Sequence, residues 1–164
     1  MTLLPSIASI FERDLRTLRR EVEAYSDERD LWTRVPGITN VAGNLALHLA
    51  GNLQYYVGTV LGRTGYVRDR PAEFARRDVP RAELVAEIEA ARKAVASALE
   101  GSVDLEAEFP ESILGMRVRT GDYLIHLATH FAYHLGQLDY HRRVVTRENK
   151  AVDAMRPADL SSAQ

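Results

Sequence analysis

A chain of 164 residues and 18.4 kDa, 46% hydrophobic and 27% charged, has the balance of one soluble globular domain rather than of a disordered or membrane-embedded protein. Its formal net charge of -2 argues against a basic nucleic-acid binder, and no apolar run approaches the roughly 20 residues needed to span a bilayer. Cysteine is absent, which excludes disulfides, thiolate ligands and a cysteine nucleophile and restricts any metal site to nitrogen and oxygen donors.

The amino terminus, Met1-Thr-Leu-Leu-Pro-Ser, turns charged at Glu12-Arg13-Asp14 and lacks the basic start and long apolar region of a secretory leader, so a cytoplasmic protein is expected. Apolar residues at Leu3, Ile7, Ile10, Phe11, Leu15, Leu18, Val22 and Tyr25 repeat at the spacing of one buried helical stripe. Ser26-Asp27 and Pro36-Gly37 interrupt this first helix, with Trp32 between them as an anchor for the connection. Thr39 or Asn40 is the expected cap of a second helix running through Leu45, His48, Leu49, Asn52, Leu53, Tyr56 and Val60 to Gly62.

Residues 63–80 mix five arginines with Asp69, Glu73 and Asp78 and have no clean period. They are expected to form a long crossover whose charges are solvated or paired with neighbours, with a substrate-facing loop as the lesser alternative. A third helix opens at Asp78-Val79-Pro80, with Leu84, Ile88, Ala91, Val95 and Leu99 at helical spacing. Residues 100–120 are irregular, with at most a short hairpin around Ile113 to Val118. Thr120, with Asp122 behind it, opens a fourth helix through Tyr123, Leu124, Leu127, Phe131 and Leu138. The expected architecture is all-α, a four-helix bundle occupying residues 1–150 with a long crossover between helices two and three, followed by a flexible C-terminal tail at 151–164.

Three of the five histidines stand at His126, His130 and His134. Residues four apart share a helix face, so neighbouring imidazoles of this ladder can hold one ion between them, as zinc and nickel are often held. Spacing leaves two registers open, His126 with His130 or His130 with His134. A further ligand must come from elsewhere. His48 lies in the apolar stretch Leu45-Ala-Leu-His-Leu-Ala, within a polar strip formed by Asn44, His48, Asn52 and Tyr55. Each unpaired buried group in such a strip costs about 1 to 3 kcal/mol, so the strip is expected to line a site. Gln137 shares a face with His134. His141 is expected to favour the helix dipole near the end of helix four, and Asp14, near the inner edge of helix one, is expected to be a boundary charge.

The stretch Tyr123-Leu-Ile-His-Leu-Ala-Thr-His-Phe-Ala-Tyr-His-Leu-Gly-Gln-Leu resembles the last-helix motif of the DinB-like superfamily of damage-inducible bacterial proteins. Gly43-Asn-Leu-Ala-Leu-His-Leu-Ala-Gly-Asn-Leu is similar to its other histidine element, and Gly65-Tyr-Val-Arg-Asp-Arg-Pro-Ala-Glu-Phe to a tract of one of its branches. The resemblance implies a metal triad of His48, His130 and His134, with Gly136-Gln137 completing the His-x-x-x-His-x-Gly-Gln pattern. His126 then stands one turn before the ligand pair. It also implies a homodimer, with helices one and four the first place to look for its face. Leu135 departs from the pattern, since many members carry arginine there.

Three neutral imidazoles leave a divalent transition metal, zinc or nickel, its full charge and an open position. The implied activity is a metal-dependent transferase joining a low-molecular-weight thiol to small electrophiles. A non-catalytic metal-binding stress-response protein and a metal-dependent hydrolase are the alternatives. No glutamate follows directly on a ligand histidine, as it does in helical metallopeptidase motifs, and no general base is evident.

Overall fold

The structure, a computed structural model, describes residues 3–160. Helix α1 spans Leu4–Glu23, α2 spans Ala42–Leu53, the short α3 spans Arg70–Ala75, α4 spans Arg81–Glu100 and α5 spans Thr120–Thr146. No strand occurs among the described residues. The four long helices pack as α1 against α4 and α5, and α2 against α4 and α5. The all-α, DinB-like bundle expected from the sequence is therefore the architecture observed. No helix of the described residues is long and apolar enough to cross a membrane. Of the tail expected at 151–164, residues 161–164 lie outside the described residues, as do residues 1 and 2 of the expected domain.

Helix α1 buries Ile7, Phe11, Leu15, Leu18 and Val22, the stripe its periodicity predicts. All twelve residues of α2 are buried, so its position is fixed by packing on every side. This explains why its N-terminus departs from expectation. Neither Thr39 nor Asn40 caps it; Val41 precedes the first turn with no side-chain cap. Gly43 is required instead, because a Cβ there would lie 2.5 Å from the Trp32 ring, whose Nε1 donates to the Val79 carbonyl at 3.3 Å. The Trp32 indole thus closes the connection between α1 and α2.

Beyond Leu53 the helix widens into a π-helical stretch, Gln54–Leu61, with the Gly62 amide donating five residues back to Val57 at 3.0 Å. The crossover that follows contains a helix the sequence pattern concealed. Asp69 accepts from the Ala72 amide at 3.0 Å and caps α3, with Pro71 in its first turn. Within residues 101–119 a tight turn at Leu114 and Gly115 joins the bridged pair Ile113 and Met116, the short hairpin expected there.

His141 is fully buried, not poised at the helix end for its dipole. Its Nε2 donates to the Thr33 carbonyl at 2.8 Å and its Nδ1 accepts from the Tyr25 hydroxyl at 2.8 Å. The ring ties α5 to the end of α1 and to the loop after it, and burial lowers its pKa, which keeps it neutral for this pairing. Deeper in the same layer, Arg142 and Glu21 form a fully buried ion pair with Nε to Oε2 at 2.6 Å. The Arg142 guanidinium also reaches Asp139 at 3.0 Å and the Lys150 carbonyl at 2.9 Å. Asp14 is likewise buried, paired with Arg13 at 2.7 Å.

Candidate metal centre

His48 projects from the middle of α2, and His130 and His134 from successive turns of α5, the helix that packs across it. One ring nitrogen from each lies within 4.8 Å of the other two. The rings stand edge to face, with centroids 5.2 Å apart for His48 and His130, 5.3 Å for His48 and His134, and 4.6 Å for the pair on α5. His126 is not part of this cluster. It stacks one turn away, 6.1 Å from the His130 ring and 5.7 Å from Tyr123, with its side chain exposed.

Two of the three rings are oriented from behind. The Nδ1 of His48 donates to Glu73 Oε2 at 2.9 Å, and the Nδ1 of His134 donates to Gln137 Oε1 at 2.7 Å. Each leaves its Nε2 lone pair free, the arrangement by which a backing acceptor fixes the tautomer of a ligand histidine. The Nε2 atoms of His48 and His130 lie 3.3 Å apart. Two nitrogens each bound to one tetrahedral zinc stand about 3.3 to 3.4 Å apart by the usual zinc–nitrogen distance. The Nδ1 of His130 is buried with no partner. Burial, then the neighbouring His134 and His48, push the His130 pKa down to about 4, and burial also lowers that of His134. Both rings are therefore neutral near pH 7, the form that offers a lone pair to a cation. The donor set and its spacing fit a divalent ion.

Glu73 was not singled out by sequence reasoning. It sits on α3, buried, and its carboxylate receives two bonds from Arg68, at 2.6 and 2.9 Å, besides the one from His48. Burial pushes its carboxyl up, but His48 and Arg68 outweigh this and hold it below the ordinary range. The carboxylate reaches His48 because Gly51 has no side chain. A Cβ at Gly51 would lie 2.5 Å from Glu73 Oε1. Asn44 fixes α3 itself, donating to the carbonyls of Glu73 at 2.8 Å and Arg76 at 3.0 Å.

A pocket of about 740 Å³ opens over the three histidines, within the range of small-molecule sites. The sequence model of one family, described as Mycothiol-S-transferase, matches residues 6–147. The chain belongs to the mycothiol-S-transferase family. That family lies within the DinB-like metal-binding superfamily, so the resemblance carried by the histidine motifs holds. No curated protein and no solved structure gave a match.

The span matched to the mycothiol-S-transferase family runs from α1 to the end of α5 and contains every residue of the centre. Of the polar strip on α2, Asn52 lines the pocket beside His48. Asn44 instead holds α3, and Tyr55 does not line the pocket, because its hydroxyl donates to Glu111 at 2.7 Å. Tyr56 takes that place on the wall. The physical reason is helical spacing: Tyr56 lies four residues after Asn52, as Asn52 lies four after His48, so the three share a face from which Tyr55 is turned away. Arg68, Arg70 and Phe74 also line the pocket, so the crossover pairs Arg68 with a neighbouring acid, as expected, and also takes the lesser alternative by forming one wall. Leu135 is buried in the bundle, and Asp14 is not among the pocket residues.

Proposed function

We propose that this member of the mycothiol-S-transferase family is a metal-dependent transferase that joins a low-molecular-weight thiol to a small electrophile. His48, His130 and His134 hold one divalent transition-metal ion, zinc or nickel. What carries the reading is the convergence of three imidazoles, two of them backed by acceptors, beneath a pocket large enough for both substrates.

An ion bound by three neutral imidazoles supplies a full dipositive charge that lowers the pKa of a coordinating thiol. The pocket residues do the rest. Glu73 and Gln137 keep the two imidazoles in their binding tautomers. Leu127 and Phe74 give the pocket apolar surface, and the buried amide of Asn52 offers a hydrogen bond to substrate. The thiolate sulfur forms its bond to the electrophilic carbon as the leaving group departs with its electron pair, and the thiol proton passes to solvent at the open mouth. This chemistry needs no general base once the thiol is ionised. Hydrolysis is less well served, because no carboxylate lines the pocket and Glu73 is committed to His48 and Arg68.

The test begins with elemental analysis of the purified protein, which should find about one zinc or nickel per chain. Mycothiol, the thiol of the family name, and 2-mercaptoethanol are then incubated with monobromobimane, and the thioether is followed by fluorescence. Catalysed thioether formation that disappears on chelation supports the reading; protein without stoichiometric metal sinks it. Bound metal with no accelerated thiol transfer favours the non-catalytic stress-response protein, and ester cleavage by the same preparation favours the hydrolase.

We also propose a homodimer, located in the cytoplasm where a reduced thiol pool is kept. The exposed Ile125, Tyr133, Tyr140 and Val144 fall on one face of α5, which supports an interface there. Tyr140→Glu should convert the dimer to a monomer in sedimentation velocity, and an unchanged mass would remove α5 from consideration.

A further inference from the structure

The charged side chains lining the histidine pocket are Arg68 and Arg70, and no carboxylate lines it. Their situations differ. Arg68 is largely buried and its charge is balanced by Glu73 through two hydrogen bonds, at 2.6 and 2.9 Å. Its Nη1 makes no hydrogen bond among the described residues. Arg70 has neither a hydrogen bond nor an ion pair among the described residues, and the adjacent Asp69 is occupied in capping α3.

An exposed arginine is ordinarily a solvated surface charge. Arg70 differs because its guanidinium carbon lies 5.4 Å from the centre of the Phe74 ring, which in turn packs 4.9 Å from the ring of His48. A guanidinium resting on an aromatic face is partly oriented before any ligand arrives, with its N–H edge free to meet a planar anion. The stack sets this uncompensated cation one aromatic ring away from the histidine triad. Charge of a single sign on the wall of a concave site draws in ligands of the opposite sign.

We propose that Arg70, assisted by the free edge of Arg68, forms a carboxylate-binding subsite on the pocket wall, which selects a small organic acid as one of the two substrates. The carboxylate belongs to the acceptor electrophile or to the thiol, and bidentate pairing with guanidinium is the shared chemistry. The choice of substrate rests on the transferase reading; the anion subsite itself does not.

The metal-loaded protein is assayed with iodoacetate against iodoacetamide, using 2-mercaptoethanol as thiol, and with mercaptoacetate against 2-mercaptoethanol, using iodoacetamide as acceptor. The chain has no cysteine for these reagents to alkylate. In Arg70→Gln the anionic-to-neutral ratio of kcat/KM should fall at least tenfold in one pair, and that pair identifies which substrate carries the acid. Arg70→Lys should recover part of the ratio. Separately, succinate titrated into the metal-loaded protein and followed by NMR should bind at least tenfold more weakly to Arg70→Gln. Unchanged ratios together with unchanged succinate affinity overturn the subsite. Succinate binding that depends on Arg70, in protein with no thiol-transfer activity, sustains the subsite and removes the transferase reading.

Discussion

Glu73→Ala should weaken metal binding by about 10- to 100-fold, the usual cost of removing the acceptor behind a ligand histidine, and should destabilise the metal-free protein by about 3 to 5 kcal/mol. Both effects come from one carboxylate. It accepts from His48 Nδ1 at 2.9 Å and from Arg68 at 2.6 and 2.9 Å, all within a buried environment. Without it the remaining polar neighbour of His48 Nδ1 is the Arg68 Nη2 at 3.3 Å, a donor that favours the wrong tautomer, and the largely buried Arg68 guanidinium has lost its counter-charge. Asn44 still holds the α3 backbone, so the helix itself should stay docked. Glu73→Gln separates the two effects, because it keeps an oxygen for His48 while removing the charge that Arg68 needs. Competition with a chromogenic chelator measures the first effect and urea denaturation of metal-free protein the second. Metal affinity unaltered in Glu73→Ala would mean that His48 is not a ligand or is oriented by something else.

The second large effect is expected far from the centre. Arg142→Met should cost about 3 to 5 kcal/mol at pH 8, because it leaves the Glu21 carboxylate buried without its cation. At pH 5 the cost should be smaller by about 1.4 kcal/mol, one pH unit of linkage. Burial already outweighs the attraction of Arg142 and pushes the Glu21 carboxyl up to about 7, against an ordinary value of 4.5. A carboxyl whose folded pKa is raised favours the fold most below its unfolded pKa, and that contribution is lost as pH rises through the folded one. Removing Arg142 raises the folded pKa further. The variant should therefore lose stability, relative to the parent at the same pH, as pH climbs above about 7, at up to about 1.4 kcal/mol per unit. Pairing it with Glu21→Leu should restore most of the stability at pH 8, since two apolar groups leave no buried charge. Urea midpoints at the two pH values decide the matter, and a penalty independent of pH would show that lost packing dominates.

The long helices were legible because each carries a periodic apolar stripe, as at Ile7, Phe11, Leu15, Leu18 and Val22 of α1. The histidine ladder was legible for the same reason, but spacing alone left two registers, and the crossing of α2 over α5 brings His130 and His134, not His126, toward His48. Other features depend on long-range approach and leave no local periodicity. Glu73 meets His48 only because Gly51 clears a path for it, and in sequence both lie among residues with ordinary roles elsewhere. The burial of His141 is similar. Tyr25 and the Thr33 carbonyl claim it from 116 and 108 positions away. Six-residue α3 is too short to show a repeat, although the Asp69 cap and Pro71 were visible as residues.

The widened turn at Gln54–Leu61 bears on how such a pocket can be diversified. A π-helical stretch accommodates residues that a straight α-helix of the same rise does not. Loss of a single residue within it would let the helix tighten to ordinary α-helical turns and re-aim the side chains inside the stretch by up to about 100°, the angular step per residue of an α-helix, while the chain beyond kept its place. Tyr56 would leave the pocket wall while His48, His130 and His134 kept their places. One codon of length in this segment can therefore exchange the side chains of the pocket wall without altering the three histidines beneath it.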